Sequence, residues 1–192
     1  MLRYKACKNS IVTLELSNDS KTNEKRKDVV DNRYAKFRCD KAKVIDITNV
    51  TTGEKMEKDV SIRNKEFIYN LNKKVTTGFN IYLNIVCTWG IHYFKTKKAA
   101  VSWFYTRLGD KNFPDGKWET WHENGQTHYE GTWKNGVENG KFMYWYENGN
   151  QQHDGTFKDG KLDGKWVEWC KNAKKKSEIT YKDGKIITSK YY

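Results

Sequence analysis

The sequence predicts a mainly β protein in two parts: an α+β domain over residues 1–109 and an antiparallel β-hairpin repeat sheet over residues 110–192. Three observations lead there. A 24-residue pattern recurs three times without a gap in the C-terminal part. Aromatic-rich runs of strand length alternate there with Asn-Gly and Asp-Gly pairs, the strongest short hairpin signal. The N-terminal part carries alternating apolar runs and one segment with helical period.

The repeats begin at Gly116, Gly140 and Gly164. Trp118, Phe142 and Trp166 fall on one another, as do Trp121, Trp145 and Trp169, and as do Trp133, Phe157 and Tyr181. The acidic Glu130, Asp154 and Glu178 align too. Each unit splits into two strand-length runs. One turn is marked by Glu123–Gly125 and Glu147–Gly149. The other is marked by Asn135–Gly136, Asp159–Gly160 and Asp183–Gly184, because Asn, Asp and Gly accept positive φ. One hairpin is marginal in water, so neighbours must stack to bury an aromatic face. Trp118 and Trp121 are three positions apart, so alternation puts the two aromatic rows on opposite faces: one is core, the other faces solvent or a partner. The third unit departs from the pattern, with Ala173 where Gly125 and Gly149 stand, and Ile179 where Gly155 stands. Such decay fits a capping unit, and residues 186–192 read as one last strand on the open edge.

In the N-terminal part, Ile11–Leu16, Ala42–Val50, Glu66–Tyr69 and Phe79–Val86 are predicted strands, and residues 17–33 a polar loop. Thr96–Leu108 is a predicted helix, with Thr96 as N-cap and Gly109 as C-cap.

The net charge of +12 is uneven. Residues 1–110 hold 22 Lys/Arg against 12 Asp/Glu, whereas residues 111–192 hold 14 against 12. A basic surface favours nucleic acid, an anionic membrane or an acidic protein. Lys25, Arg26, Lys27, Arg33 and Arg38 are the candidate contacts, with Tyr34 and Phe37 interleaved as stacking rings. No nucleic-acid-binding signature accompanies them, which makes nucleic acid a minor expectation. The four cysteines are scattered with no C-x-x-C pair, matching neither a disulfide framework nor a zinc ribbon. The sequence shows neither a secretion signal nor an apolar stretch long enough to span a bilayer.

Two resemblances follow from these residues. Tyr129–Gly136 (YEGTWKNG) resembles the MORN repeat signature, and the full units resemble the variant with a Gly-Lys-Trp…Trp…Glu-Asn-Gly pattern. The likeness covers residues 113–186. It implies an elongated, curled antiparallel sheet, a scaffolding role, and a weaker link to phospholipid. In the N-terminal part, Arg38–Ile47 (RCDKAKVIDI), Phe67–Tyr69 (FIY) and Cys87–Phe94 (CTWGIHYF), followed by Ala99-Ala100, resemble an uncharacterised domain of large DNA viruses of protists and some phages. That likeness covers residues 1–105. The residues after Tyr69, Asn70–Lys74, depart from its usual Gly-Lys.

The expected function is therefore non-enzymatic: a viral structural or assembly protein, a minor capsid-associated component in the virion or host cytoplasm, which binds other proteins through the repeat scaffold. Trp121, Trp145 and Trp169 are its candidate partner-binding row. A peripheral adaptor at an anionic membrane is the alternative. An enzyme using Cys87 as nucleophile and His92 as base is a second one. No third group orients that pair, so packing is the expected role of both. No catalytic residue, metal ligand or cofactor is expected, and a small-molecule ligand is not anticipated.

Overall fold

The computed structural model describes residues 1–108 and 113–192. The expected C-cap Gly109 and the expected boundary at residues 109/110 lie outside them. The chain forms two units: Met1–Phe104 with Glu123–Gly125, and Tyr105–His122 with Gln126–Tyr192. Among the described residues strands dominate and one helix occurs, so the protein is mainly β and its sheets are antiparallel.

The first unit is built on β1 (Leu2–Ala6), β2 (Ser10–Glu15), β3 (Lys36–Cys39), β4 (Lys41–Asn49), β7 (Lys74–Thr76) and β8 (Ile91–Phe94). These form one sheet in the order β3-β8-β1-β2-β4-β7. A separate ribbon pairs β5 (Lys58–Val60) with β6 (Ile68–Asn70). The apolar positions that alternate along β2 and β4 supply Val12, Leu14, Ala42, Val44 and Ile47 to one buried cluster. Phe37, Cys39, Tyr69, Ile91 and Tyr93 join it. Helix α1 (Lys97–Leu108) opens on Thr96, whose Oγ1 accepts a 3.3 Å bond from the Ala99 amide. That is the capping geometry which satisfies one otherwise orphaned donor.

The expected strand Phe79–Val86 does not form; the segment is irregular from Thr77 to Gly90. The physical reason is Arg38. Its guanidinium is buried and donates to the carbonyls of Asn80 (2.7 Å), Tyr82 (2.7 Å), Ile85 (2.9 Å) and Trp89 (3.4 Å). Carbonyls turned inward on a cation are lost to a β ladder, while Ile81, Tyr82 and Ile85 point to solvent.

The second unit is one sheet. Its strands are β9 (Gly116–Trp121), β10 (Thr127–Lys134), β11 (Val137–Glu138), β12 (Gly140–Trp145), β13 (Gln151–Lys158), β14 (Lys161–Leu162), β15 (Gly164–Trp169), β16 (Lys175–Lys182) and β17 (Lys185–Tyr191). Three hairpins repeat the same register, each with an irregularity beside its last tryptophan: Trp121 opposite Thr127, Trp145 opposite Gln151, Trp169 opposite Lys175. Asn135–Gly136, Asp159–Gly160 and Asp183–Gly184 all take positive φ, as two-residue hairpin loops require.

Two glycines explain how the repeats interlock. A Cβ on Gly131 would lie 2.3 Å from Phe142 Cε1, and one on Gly155 2.2 Å from Trp166 Cε3. Each unit's leading ring thus lies over the glycine of the unit before it. Ile179 occupies the equivalent place in the third unit. On its β17 side it faces Ser189 rather than a successor ring, so its side chain fits and is buried. The decayed repeat is the one with no successor ring to accommodate, and the predicted closing strand is β17.

Candidate functional site

The two faces of the repeat sheet differ in kind. Register puts Trp118, Tyr129, Trp133, Phe142, Tyr144, Phe157 and Trp166 on one face. There the rings form a continuous ladder, with centroids 4.7 Å apart for Trp133–Phe142, 5.0 Å for Phe142–Phe157 and 5.8 Å for Phe157–Trp166. Phe113 extends it, 4.6 Å from Trp133. Offset and edge-on pairs of this sort stabilise beyond their buried area. This row holds the buried rings Phe113, Tyr129, Trp133 and Phe142, while Trp118, Tyr144, Phe157 and Trp166 are half-buried.

The other face carries Trp121, Trp145 and Trp169, all half-buried. Beside them runs a ladder of ion pairs at the repeat spacing: Lys117–Glu130 (2.8 Å), Lys141–Asp154 (3.4 Å) and Lys165–Glu178 (3.1 Å). The aligned acidic residues of the sequence are these partners. Exposed pairs of this kind contribute little to stability, yet they give the face a periodic charge pattern. Successive hairpins are tied by His122 Nε2 donating to the Trp145 carbonyl (2.8 Å) and by Tyr146 Oη donating to that of Trp169 (2.9 Å).

The basic candidates of the first unit divide. Lys25, Lys27 and Arg33 are exposed, and Arg33 pairs with Asp31 at 2.6 Å. Arg26 and Arg38 are buried, which corrects the expectation that they meet a partner. Arg38 templates the irregular segment described above. Arg26 lies over the Phe37 ring, donates to the Glu123 carbonyl and stands 3.4 Å from Asp28. Phe37 is itself in the core and unavailable for stacking.

Cys87 and His92 are each bonded elsewhere rather than to each other. His92 Nε2 donates to the Val86 carbonyl at 2.7 Å. Burial, aided by Lys36 and Lys5, pushes its imidazole down to about 4, so it is neutral at pH 7. The Cys87 thiol donates to Glu123 Oε1 at 3.0 Å, and the buried Lys36 ammonium reaches both that oxygen (2.7 Å) and the sulfur (3.3 Å). Burial pushes the Glu123 carboxyl up, but Lys36 and Cys87 outweigh it and hold the group below its ordinary range. Among the described residues no group of His, Cys, Asp and Glu has the arrangement of a metal site, and all four cysteines are free. Among the described residues no helix is long and apolar enough to cross a membrane.

A cavity of about 470 Å³ opens between the β5–β6 ribbon and β8, lined by Lys5, Arg63, Asn64, Tyr69, Trp89 and His92 among others. A second hollow of about 520 Å³ lies between Glu15–Asp19 and Lys41–Lys43. Its lining mixes the carboxylates of Glu15 and Asp19 with Lys41, Lys43 and Lys74, and Lys41 pairs with Asp19 at 2.5 Å.

Residues 1–100, more than half of the chain, match the family of unknown function DUF5758. The chain belongs to that family. No curated protein and no solved structure matches it. The DUF5758 region contains every residue that lines the cavity, the buried Arg26 and Arg38, and both Cys87 and His92. The repeats lie wholly beyond the DUF5758 region. Segments far apart in sequence build its cavity, which is why no motif announced it.

Proposed function

We propose that the protein is a non-enzymatic interaction protein whose repeat sheet holds a protein partner. In the more specific reading drawn from its likeness to MORN-type repeats and to domains of viral proteins, it is a structural or assembly component of a virus particle. The observation that carries the proposal is the face bearing Trp121, Trp145 and Trp169 beside three repeated Lys–carboxylate pairs. Half-buried tryptophans at fixed spacing supply large contact area at low entropic cost, and tryptophan is enriched where interfaces hold most of their energy. A membrane-adaptor role has less support, since burial of Arg26 and Arg38 removes two of the five cations it would use.

Mass spectrometry of purified particles tests the viral reading: the protein is expected among their components, and its absence sinks that reading. Chemical cross-linking then tests the face. Cross-links from Lys117, Lys141 and Lys165 to one particle protein are expected, together with their loss in a Trp145→Ala/Trp169→Ala variant. Cross-links confined to the first unit would overturn the assignment.

A further inference from the structure

We propose that the cavity in the first unit binds a small organic phosphate carrying a planar ring, of which a mononucleotide is the simplest, with Lys5 and Arg63 holding the anion and Trp89 the ring. The inference is independent of the partner-binding reading, because none of the cavity's residues belongs to the repeats.

The volume, about 470 Å³, lies within the range of small-ligand sites. Its charge is one-sided: the lining includes Lys5 and Arg63 and no carboxylate. Lys5 is only 9% exposed. Its ammonium has the His92 carbonyl at 3.4 Å and the Tyr69 ring at 5.6 Å, and neither neutralises it. No carboxylate pairs with it among the described residues. A buried cation in that position costs free energy that an apolar side chain would avoid. Burial, with the nearby Lys36 and Arg63 cations, lowers its pKa, whereas an anion seated beside it would restore the charged form. Arg63 is exposed and makes no ion pair among the described residues. A planar guanidinium suits the bidentate geometry of a phosphate.

The ring end is equally specific. Trp89 is 73% exposed although it lines the cavity. The Cε3 edge of its indole lies against Gly78, where a Cβ would come within 2.9 Å. The indole is thus held at one edge and open over most of its surface, as a ring that stacks on a planar ligand must be. Asn64 and Thr88 add neutral polar groups to the lining, of the sort that fix a ligand's orientation.

Titration calorimetry on the full chain at low salt tests this with adenosine monophosphate, adenosine, inorganic phosphate and a short single-stranded oligonucleotide as probes. Saturable binding of the monophosphate is expected, with adenosine at least tenfold weaker. Arg63→Ala and Lys5→Met should each weaken it at least tenfold, the scale of one lost charge-assisted hydrogen bond. Trp89→Ala should weaken the monophosphate and leave inorganic phosphate unchanged. Should Lys5→Met not fold, the exposed Arg63→Ala carries the charge test alone. Absence of monophosphate binding at about 10 mM, a concentration that reveals even millimolar affinity, overturns the proposal. Undiminished binding by Arg63→Ala does so too. Tighter binding of the oligonucleotide than of the monophosphate would replace the small ligand with a nucleic-acid strand. Equal affinity for phosphate and monophosphate would remove the ring from the proposal.

Discussion

Substituting Gly131 by alanine puts the interlock between repeats to a direct test. The added Cβ would sit 2.3 Å from Phe142 Cε1, where carbon atoms in contact need about 3.5–4.0 Å, so about 1 Å or more must be absorbed. The ring cannot swing away. Phe142 is fully buried, with Trp133 at 4.7 Å and Phe157 at 5.0 Å on its flanks. Overpacking in such a core costs about 1–3 kcal/mol. The tightness of the contact places this case near the upper end. Gly131 has no positive φ, so alanine also removes unfolded-state freedom, a gain of about 0.4–1 kcal/mol. The net expectation is a loss of about 2 kcal/mol. With a urea slope of about 1–3 kcal/mol/M, that moves the midpoint down by about 1 M. Tryptophan fluorescence during urea unfolding reads it, together with the double variant Gly131→Ala/Phe142→Ala. Removing the ring should make the alanine harmless, giving a coupling above about 1 kcal/mol. A midpoint for Gly131→Ala that is unchanged or higher would refute the ring-over-glycine account.

Other outcomes follow from the same structure. Ala173 sits at φ 64 where Gly125 and Gly149 both sit at 87. Relief of about 1–2 kcal/mol of left-handed strain, less about 0.4–1 for the added chain freedom, predicts that Ala173→Gly stabilises by about 0.5–1 kcal/mol in the same assay. Arg38→Lys cannot reach four carbonyls with one ammonium. It should cost about 3 kcal/mol and raise amide exchange specifically over residues 78–90, whereas uniform exchange would contradict the templating role. Burial drives His92 and His128 down to about 4, aided at His128 by His122 and at His92 by Lys36 and Lys5. The unfolded chain takes up protons near pH 6.5 and the folded chain only near 4, so stability should hold above pH 6.5 and fall as pH drops toward 4. At pH 5 the loss relative to pH 7 should be about 1–2 kcal/mol per histidine, and a His92→Gln/His128→Gln variant should flatten the profile.

The repeat half was legible because its forces are local and periodic. Turn glycines and asparagines at fixed offsets set the hairpins, and the 24-residue spacing aligned the rings before any contact was known. Even the decay of the third unit was visible, though only the sheet shows why Ile179 is tolerated: β17 offers Ser189 where the earlier units offer a ring. The first unit was legible in part. Strands β2 and β4 have apolar alternation, and both were expected within a residue of where they lie. The segment Phe79–Val86 also carries strand-like residues, but a long-range buried arginine takes its carbonyls.

Charge was where sequence alone misled. A cationic side chain reads as surface, which points Arg26 and Arg38 toward a partner. In the fold they are buried, one over an aromatic ring and the other in a nest of carbonyls. Lys5 is the same case: in the run LRYKA it is one polar residue in an alternating strand. The order of residues alone specifies the class of fold, the hairpin turns of the repeats and the placing of the two aromatic rows on opposite faces. Each of these follows from spacing along the chain. The tertiary structure alone decided which cations are buried, which segment gives up its ladder and where a cavity forms. Those outcomes depend on groups brought together from positions 5, 63 and 89, and no local rule ties such distant residues to one another.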